Sequence, residues 1–168
     1  TKKQKLENMN ELILSKLEVQ AATVNDLGFK AKLVDWNAAL TLIPSQSGAW
    51  VYASDATAGI LTLPACAAGL TFEIFIQKAQ TGDTHIAAAA GEFFEGGLIL
   101  SDADTATENL SLFLANTTED DFINLDSDAK GRLAGGYIKL VGDGTKWHVS
   151  GYLNATGTIA TPFHTAES

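Results

Sequence analysis

The sequence has a single cysteine and three prolines, and its lysines and arginines are outnumbered by acidic residues. One cysteine, Cys66, excludes an internal disulfide framework and suits synthesis in a reducing compartment. No apolar run approaches the roughly 20 residues that a membrane span requires. No basic segment followed by an apolar run opens the sequence, so a secretory signal is not expected either. We therefore expect no membrane partner.

The few basic residues are unevenly distributed. Residues 1–35 contain six lysines and five acidic residues, whereas residues 36–168 contain five basic and fifteen acidic residues. A negative potential of this kind repels phosphate backbones, so we expect no nucleic-acid partner. The same charge favours solubility at high concentration.

Residues 1–20 are predicted to form an amphipathic helix, because no glycine or proline interrupts a stripe of apolar residues at helical spacing. The stripe consists of Leu6, Met9, Ile13 and Leu17. Such a helix could pack on its own domain or a partner protomer, or it could be an arm that docks onto an acidic neighbouring protein. Residues 21–47 are predicted to be an extended connector, and the break at 44–48 marks the start of a β-domain.

Residues 48–168 are predicted to form one β-sandwich or β-barrel of short antiparallel strands, because apolar segments alternate with turn-forming residues. In Gly59–Gln77, two strands flank a corner of small residues, and the second strand alternates strictly between apolar and other positions. A hairpin is expected from Tyr137–Val141 and Lys146–Tyr152, joined by a loop of turn formers. Further strands are predicted at 49–53, 85–89, 93–100, 110–114, 122–125 and 158–160.

No arrangement of residues typical of catalysis is present. His85, His148 and His164 lack metal-ligand spacing, and the sequence contains neither G-x-S-x-G nor a phosphate-binding loop. Residues 126–131 resemble the start of an EF-hand loop but lack two of its ligands, at positions 130 and 137. We therefore expect no enzymatic activity, no catalytic residues, no cofactor and no metal.

Two alternatives to these expectations stay open. Acidic residues could gather around a hard cation in a loop or at a subunit interface. The candidate residues are Glu119, Asp120, Asp121, Asp126 and Asp128. Strand aromatics, which include Trp50, Tyr52, Trp147 and Tyr152, are expected to pack in the core, but they could instead form an exposed platform for sugars. Cys66 is expected to be a packed apolar residue.

Two segments resemble β-rich structural proteins of tailed bacteriophages: LPACAAGLTF at 63–72 and VGDGTKWHVSG at 141–151. The resemblance covers about residues 46–152 and excludes the predicted helix. It implies a capsid decoration (cement) protein or a head fibre protein, homotrimeric on the outer surface of the capsid, which it stabilises. The implied partners are the major capsid protein and sister subunits, and no catalytic residues accompany the resemblance. The place of synthesis that it implies is the host cytoplasm, which is a reducing compartment.

On this basis, the first 45 residues are expected to provide much of the contact with the shell or with sister subunits. The expected contact residues are Leu6, Met9, Ile13, Leu17 and Trp36. The main alternative is a fibre or receptor-binding module that recognises host-surface glycans, with Trp147 as the residue to test. A polysaccharide-degrading enzyme is a third and weaker alternative, because the sequence lacks catalytic motifs.

Overall fold

The structure is a computed structural model that describes residues 32–104 and 109–165. The helix predicted over residues 1–20 and the first part of the predicted connector lie outside these residues. In the described ranges the chain is mainly β, with twelve strands and two short 3-10 helices, Pro44–Gln46 and Asp128–Lys130. The strands are β1 (Leu33–Trp36), β2 (Leu40–Thr41), β3 (Ala49–Ala53), β4 (Ile60–Thr62), β5 (Thr71–Ile76), β6 (His85–Ala87), β7 (Phe94–Asp102), β8 (Leu110–Leu114), β9 (Phe122–Asn124), β10 (Leu133–Gly142), β11 (Trp147–Ala155) and β12 (Phe163–His164).

The strands form two mixed sheets. One sheet has seven strands in the order β1-β3-β5-β10-β11-β7-β8, and the other has five in the order β12-β9-β6-β4-β2. From β1 to β7, successive strands alternate between the two sheets. Neighbours within a sheet are therefore often two strands apart in the chain, and four such pairs are parallel: β1–β3, β3–β5, β2–β4 and β4–β6. The pair β7–β11, four strands apart in the chain, is also parallel. The prediction of purely antiparallel strands is wrong for this reason.

The small-residue corner within Gly59–Gln77 takes the chain from β4 in one sheet to β5 in the other. It lies against the end of β10, where Gly69 N donates to Gly142 O at 2.9 Å and Gly142 N donates to Leu70 O at 2.8 Å. A Cβ atom at Gly142 would lie only 2.6 Å from the carbonyl oxygen of Ala67, so glycine is required at this close approach. The predicted alternation of β5 is confirmed, since Phe72, Ile74 and Ile76 are buried.

The described part of the predicted connector belongs to the sheets and is not an extended arm. β1 pairs with β3, and β2 pairs with β4, both in parallel. The predicted start of the β-domain at residue 48 is therefore too late. The sequence LVDW of β1 does alternate, with Val34 and Trp36 buried, but four residues are too few for a clear period-2 signal.

One buried apolar cluster draws on both sheets. The seven-stranded sheet contributes residues such as Phe72, Leu98 and Trp147, and the five-stranded sheet contributes Leu61, Ile86 and Ile123.

The strand predicted at 158–160 is wrong. That segment is irregular, and the amide of Ala160 donates at 3.0 Å to the carbonyl of Ala129 in the second 3-10 helix. The pairing residues come slightly later, where Phe163 and His164 lie opposite Ile123 and Phe122.

Candidate interaction surfaces

The side of the seven-stranded sheet that faces away from the core carries a continuous row of apolar side chains. Residues directly opposite each other on paired strands share a face of the sheet. The register aligns one residue from each of six adjacent strands, β3, β5, β10, β11, β7 and β8. In that order they are Tyr52, Phe75, Tyr137, Tyr152, Ile99 and Leu112, which we call the outer row.

The first half of the outer row is aromatic, and its rings contact one another. Phe75 is the centre, with ring centroids 5.3 Å from Tyr52, 5.5 Å from Trp50 and 5.1 Å from Tyr137. Tyr137 is in turn 6.2 Å from Tyr152. These separations fall within the range in which aromatic pairs attract each other beyond simple area burial.

The second half of the outer row is aliphatic and ends on the edge strand β8. Leu110, Leu112 and Leu114 alternate along this strand with exposures of 76%, 63% and 70%, while Phe113 between them packs against the core. An edge strand also has unpaired backbone groups, and proteins commonly protect such edges with charges or prolines. β8 has neither, so this edge is suited to being covered by another surface.

The outer row has few charges beside it, and those present are of both signs. Glu73 and Lys139 lie directly opposite each other on β5 and β10, next to the aromatic half. Partial burial and the nearby Glu73 carboxylate together raise the pKa of Tyr137 above its ordinary value. The phenol is therefore neutral across the physiological range, and a further negative charge lies at the aromatic end, where Asp35 of β1 is directly opposite Tyr52.

The same sheet has a charged corner at the hairpin between β10 and β11. The Asp143 carboxylate accepts hydrogen bonds from the amides of Thr145 and Lys146 at 2.7 and 2.8 Å, and it lies 2.9 Å from Nε2 of His148. The amide of Lys146, the His148 ring and the Thr145 donors hold the pKa of Asp143 far below its ordinary value. Lys146 Nζ also lies 3.2 Å from Glu95 on β7. These contacts fix the turn rather than forming a reaction centre.

The sequence-predicted contact residues have different outcomes. Leu6, Met9, Ile13 and Leu17 lie outside the described residues. Trp36 is wholly buried in the core, so its side chain is not available to a partner. Its prediction as a contact is wrong because the segment around it is a strand of the sheet and not an arm.

Trp147 is also wholly buried and cannot form a sugar platform. Its ring nitrogen donates to the Glu92 carboxylate at 3.3 Å, and the same carboxylate accepts the amide of Cys66 at 2.7 Å. The alternation of side chains along a β-strand explains this burial, since Trp147 and Val149 face the core while His148 between them is exposed. Cys66, as predicted, packs against the core.

Three of the candidate acidic residues, Glu119, Asp120 and Asp128, are engaged with neighbouring groups instead of converging on a common point. Asp120 accepts the amide of Asn116 at 2.6 Å, and Asp128 pairs with Arg132 at 2.8 Å. Within residues 32–104 and 109–165, no three His, Cys, Asp or Glu side chains have a geometry that could hold a metal ion. His85 and His164, however, are brought together at one pocket of the five-stranded sheet, which is described below.

Across the described ranges, no helix is long or apolar enough to cross a membrane. Comparison of the chain with protein-family models, with curated proteins and with solved structures finds no match.

Proposed function

We propose that this chain is a non-catalytic structural protein that assembles with copies of itself through the outer row and the β8 edge. The observation that carries the proposal is the set of three exposed leucines on an edge strand, continuous with a row of contacting aromatic rings. Contiguous exposed apolar surface of this kind marks interaction sites in soluble proteins. Aromatic residues are also enriched at the centres of protein interfaces.

A second copy of the chain is the occupant that the charges favour. The chain has a formal net charge of −9, so most approaches between two copies bring like charges together. The outer row carries less charge than most of the surface: its residues are uncharged, its neighbours Glu73 and Lys139 compensate each other, and Asp35 opposite Tyr52 adds one negative charge at its end. Closed assemblies of identical chains are the commonest oligomers, and they require such a self-compatible surface.

The resemblance to tailed-phage structural proteins supports a more specific form of the proposal. In that form, the chain is a homotrimeric decoration protein that binds the major capsid protein on the outer surface of the virion capsid and stabilises it. The single buried cluster fed by both sheets supports a β-sandwich as the architecture. Leu6, Met9, Ile13 and Leu17 stay predicted contacts to the shell, which would act together through the avidity of an oligomer.

The assembly is tested by sedimentation velocity on the full chain and on two matched variants. Leu112→Asp puts a charge in the outer row, whereas Ile60→Asp makes the same change at an exposed isoleucine of the five-stranded sheet. We expect the unaltered chain and Ile60→Asp to sediment as the same oligomer. Leu112→Asp should weaken association at least tenfold, because each copy would bury an unpaired carboxylate. A monomeric unaltered chain, or equal behaviour of the two variants, would contradict the proposal.

Binding to the capsid is tested separately, by co-sedimentation with undecorated phage heads. The unaltered chain should load the heads, and Leu112→Asp should lose occupancy because single copies lack avidity. Deleting residues 1–20 should also reduce occupancy. If the oligomer forms but no phage head binds it, self-assembly stands and the decoration role does not.

The aromatic half of the outer row supports a second candidate function, the recognition of surface glycans. Tyr52 and Phe75 border a shallow depression of about 260 Å³, which is also lined by Ile76, Gln77, Gly135 and Gly136. Half-buried rings beside a shallow depression are suited to stacking against sugars. A glycan array probed with the full chain and with Tyr52→Ala tests this, and array binding that Tyr52→Ala abolishes while leaving the oligomer intact would favour it over assembly alone.

A further inference from the structure

A small polar pocket lies on the five-stranded sheet, on the side opposite to the core. Ile86, Ile123 and Phe163 of β6, β9 and β12 point into the buried cluster, so the residues next to them point the other way. These neighbours and the turn after β9 enclose a volume of about 220 Å³. The walls are formed by His85, Phe122, Asn124, Asp126, Lys130 and His164.

Two buried polar atoms of the pocket residues have no hydrogen-bond partner within the described ranges. They are Nε2 of His164 and Oδ1 of Asp126, the second of which has the Lys130 ammonium group 3.5 Å away. Buried polar atoms are almost always hydrogen-bonded in folded proteins, so each unpaired atom calls for an explanation. His85, which lines the same pocket, is only 6% exposed. The His164 nitrogen and the Asp126 oxygen, which has only the Lys130 ammonium group near it, are therefore the two places in the pocket where a ligand can form a hydrogen bond.

The charges of the pocket favour an uncharged ligand. Asp126 accepts a hydrogen bond from Asn124 Nδ2 at 3.0 Å, and Lys130 Nζ lies 3.5 Å from its other oxygen. Burial opposes ionisation of Asp126, but the Asn124 hydrogen bond and the Lys130 charge outweigh it and hold the pKa of the carboxyl below its ordinary value. The carboxylate and the ammonium group therefore compensate each other. As stated above, the side chains present do not have the geometry of a metal site.

We propose that this pocket binds a single sugar ring or a polyol of similar size. Hydroxyl groups both donate and accept hydrogen bonds. One hydroxyl can donate to Oδ1 of Asp126, and another can pair with Nε2 of His164 in whichever tautomer the ring adopts. The half-buried ring of Phe122 offers an apolar surface to the C–H face of the sugar. The volume is below the roughly 300–1,000 Å³ of pockets for drug-sized ligands, so one ring fits and an oligosaccharide does not.

This site is separate from the outer row, which lies on the other sheet, and it does not depend on the assembly proposed above. The test is a ¹H–¹⁵N NMR titration of the full chain with glucose, galactose, mannose, N-acetylglucosamine and glycerol, and with sodium phosphate as an anion probe. To keep the assembly small enough for the spectra, the titration uses the Leu112→Asp background. We expect at least one sugar to shift the amides of residues 122–126 and 164–165 saturably, and phosphate to leave them unchanged.

Two variants and one control decide whether the shifts report this pocket. Asp126→Asn keeps the shape but weakens the acceptor, so sugar affinity should fall about tenfold, as expected for loss of a hydrogen bond to a charged group. Thr165→Trp places a large ring at the mouth from an exposed position, and it should abolish binding without touching the core. Asp128→Asn removes the same charge two residues away, where the carboxylate faces Arg132, and it should leave affinity unchanged.

Three outcomes would overturn the proposal. The first is the absence of a saturable shift with every sugar and with glycerol. The second is saturable binding of phosphate but not of sugars, which would make the pocket an anion site. The third is an equal loss of affinity in Asp126→Asn and Asp128→Asn, or full binding in Thr165→Trp, either of which would place the sugar elsewhere.

Discussion

The two faces of the seven-stranded sheet are both rich in large apolar side chains, but only one of them is buried. On β11, Trp147, Val149 and Leu153 face the core, while Tyr152 faces outward into the outer row. The buried face meets side chains of the five-stranded sheet and so accounts for the fold. The outward face buries little within one chain, and folding alone does not require it to be apolar. This difference between the two faces supports the proposal that the outer row contacts a second copy of the chain.

The largest expected effect is a difference in the free energy of unfolding between alanine variants of two tryptophans on opposite faces of this sheet. Trp147→Ala should lower the free energy of unfolding by about 3–5 kcal/mol, because it opens a cavity in the core and removes the partner of Glu92. Trp50→Ala, on the outward face, should cost about 0.5–1.5 kcal/mol, the range for a lost aromatic pair. Urea denaturation of monomeric protein in the Leu112→Asp background measures both. Equal losses would mean that the two faces do not differ as described.

A smaller effect tests whether the outer row stabilises the single chain at all. A double-mutant cycle of Phe75→Ala and Tyr137→Ala should give a coupling energy of about 0.5–1.5 kcal/mol, because the two rings are in contact. The control is the same kind of cycle with Trp50→Ala and Tyr152→Ala, whose strands, β3 and β11, are three positions apart in the sheet. Their cycle should be additive within about 0.5 kcal/mol. A coupling energy of zero for Phe75 and Tyr137 would mean that the aromatic contacts of the outer row do not stabilise the single chain. Contact with a partner would then be the reason for its apolar side chains.

The smallest effect concerns the charged corner of the same face and depends on pH. The folded-state pKa of Asp143 is lowered from the model-compound value of 3.8, so its contribution to stability is present above that value and is lost as the pH falls below it. Melting temperatures measured from pH 6 to pH 2 should therefore fall less for Asp143→Asn than for the unaltered chain. Thr145→Val, which removes one of the donors, should give an intermediate slope. Identical slopes for all three proteins would contradict this role of Asp143.

Features of the fold that depend on local sequence were predictable. The bounds of β3 and β8 match the prediction to the residue, because short alternating runs between turn formers are a local signal. The antiparallel hairpin of β10 and β11 was also predicted, and its paired residues include Tyr137 and Tyr152. The parallel pairings were not, because they depend on which sheet each strand joins, and no short segment encodes that choice.

The candidate surfaces were less accessible to prediction than the strands. The residues of the outer row come from six strands and become a row only through the register of those strands. Read singly, Phe75 or Tyr152 is indistinguishable from a core aromatic. The pocket joins His85 and His164, which are far apart in the sequence and meet through the antiparallel pairing of β9 with both β6 and β12. One signal of the outer row was available in the sequence. Phe75 is a large apolar residue among the polar positions of β5, on the opposite face from Phe72, Ile74 and Ile76.

The position of β11 has a consequence for how the chain is made. In the seven-stranded sheet, β11 lies between β10 and β7. It is therefore the strand that connects one group, β1, β3, β5 and β10, with the other group, β7 and β8. A nascent chain that ends before Trp147 therefore holds two halves of a sheet with nothing between them. Non-local and parallel pairings of this kind fold slowly and leave apolar edges exposed meanwhile. The leucine-bearing strand β8 would spend that interval unprotected, so we expect the yield of folded protein to depend on the rate of synthesis and on chaperones.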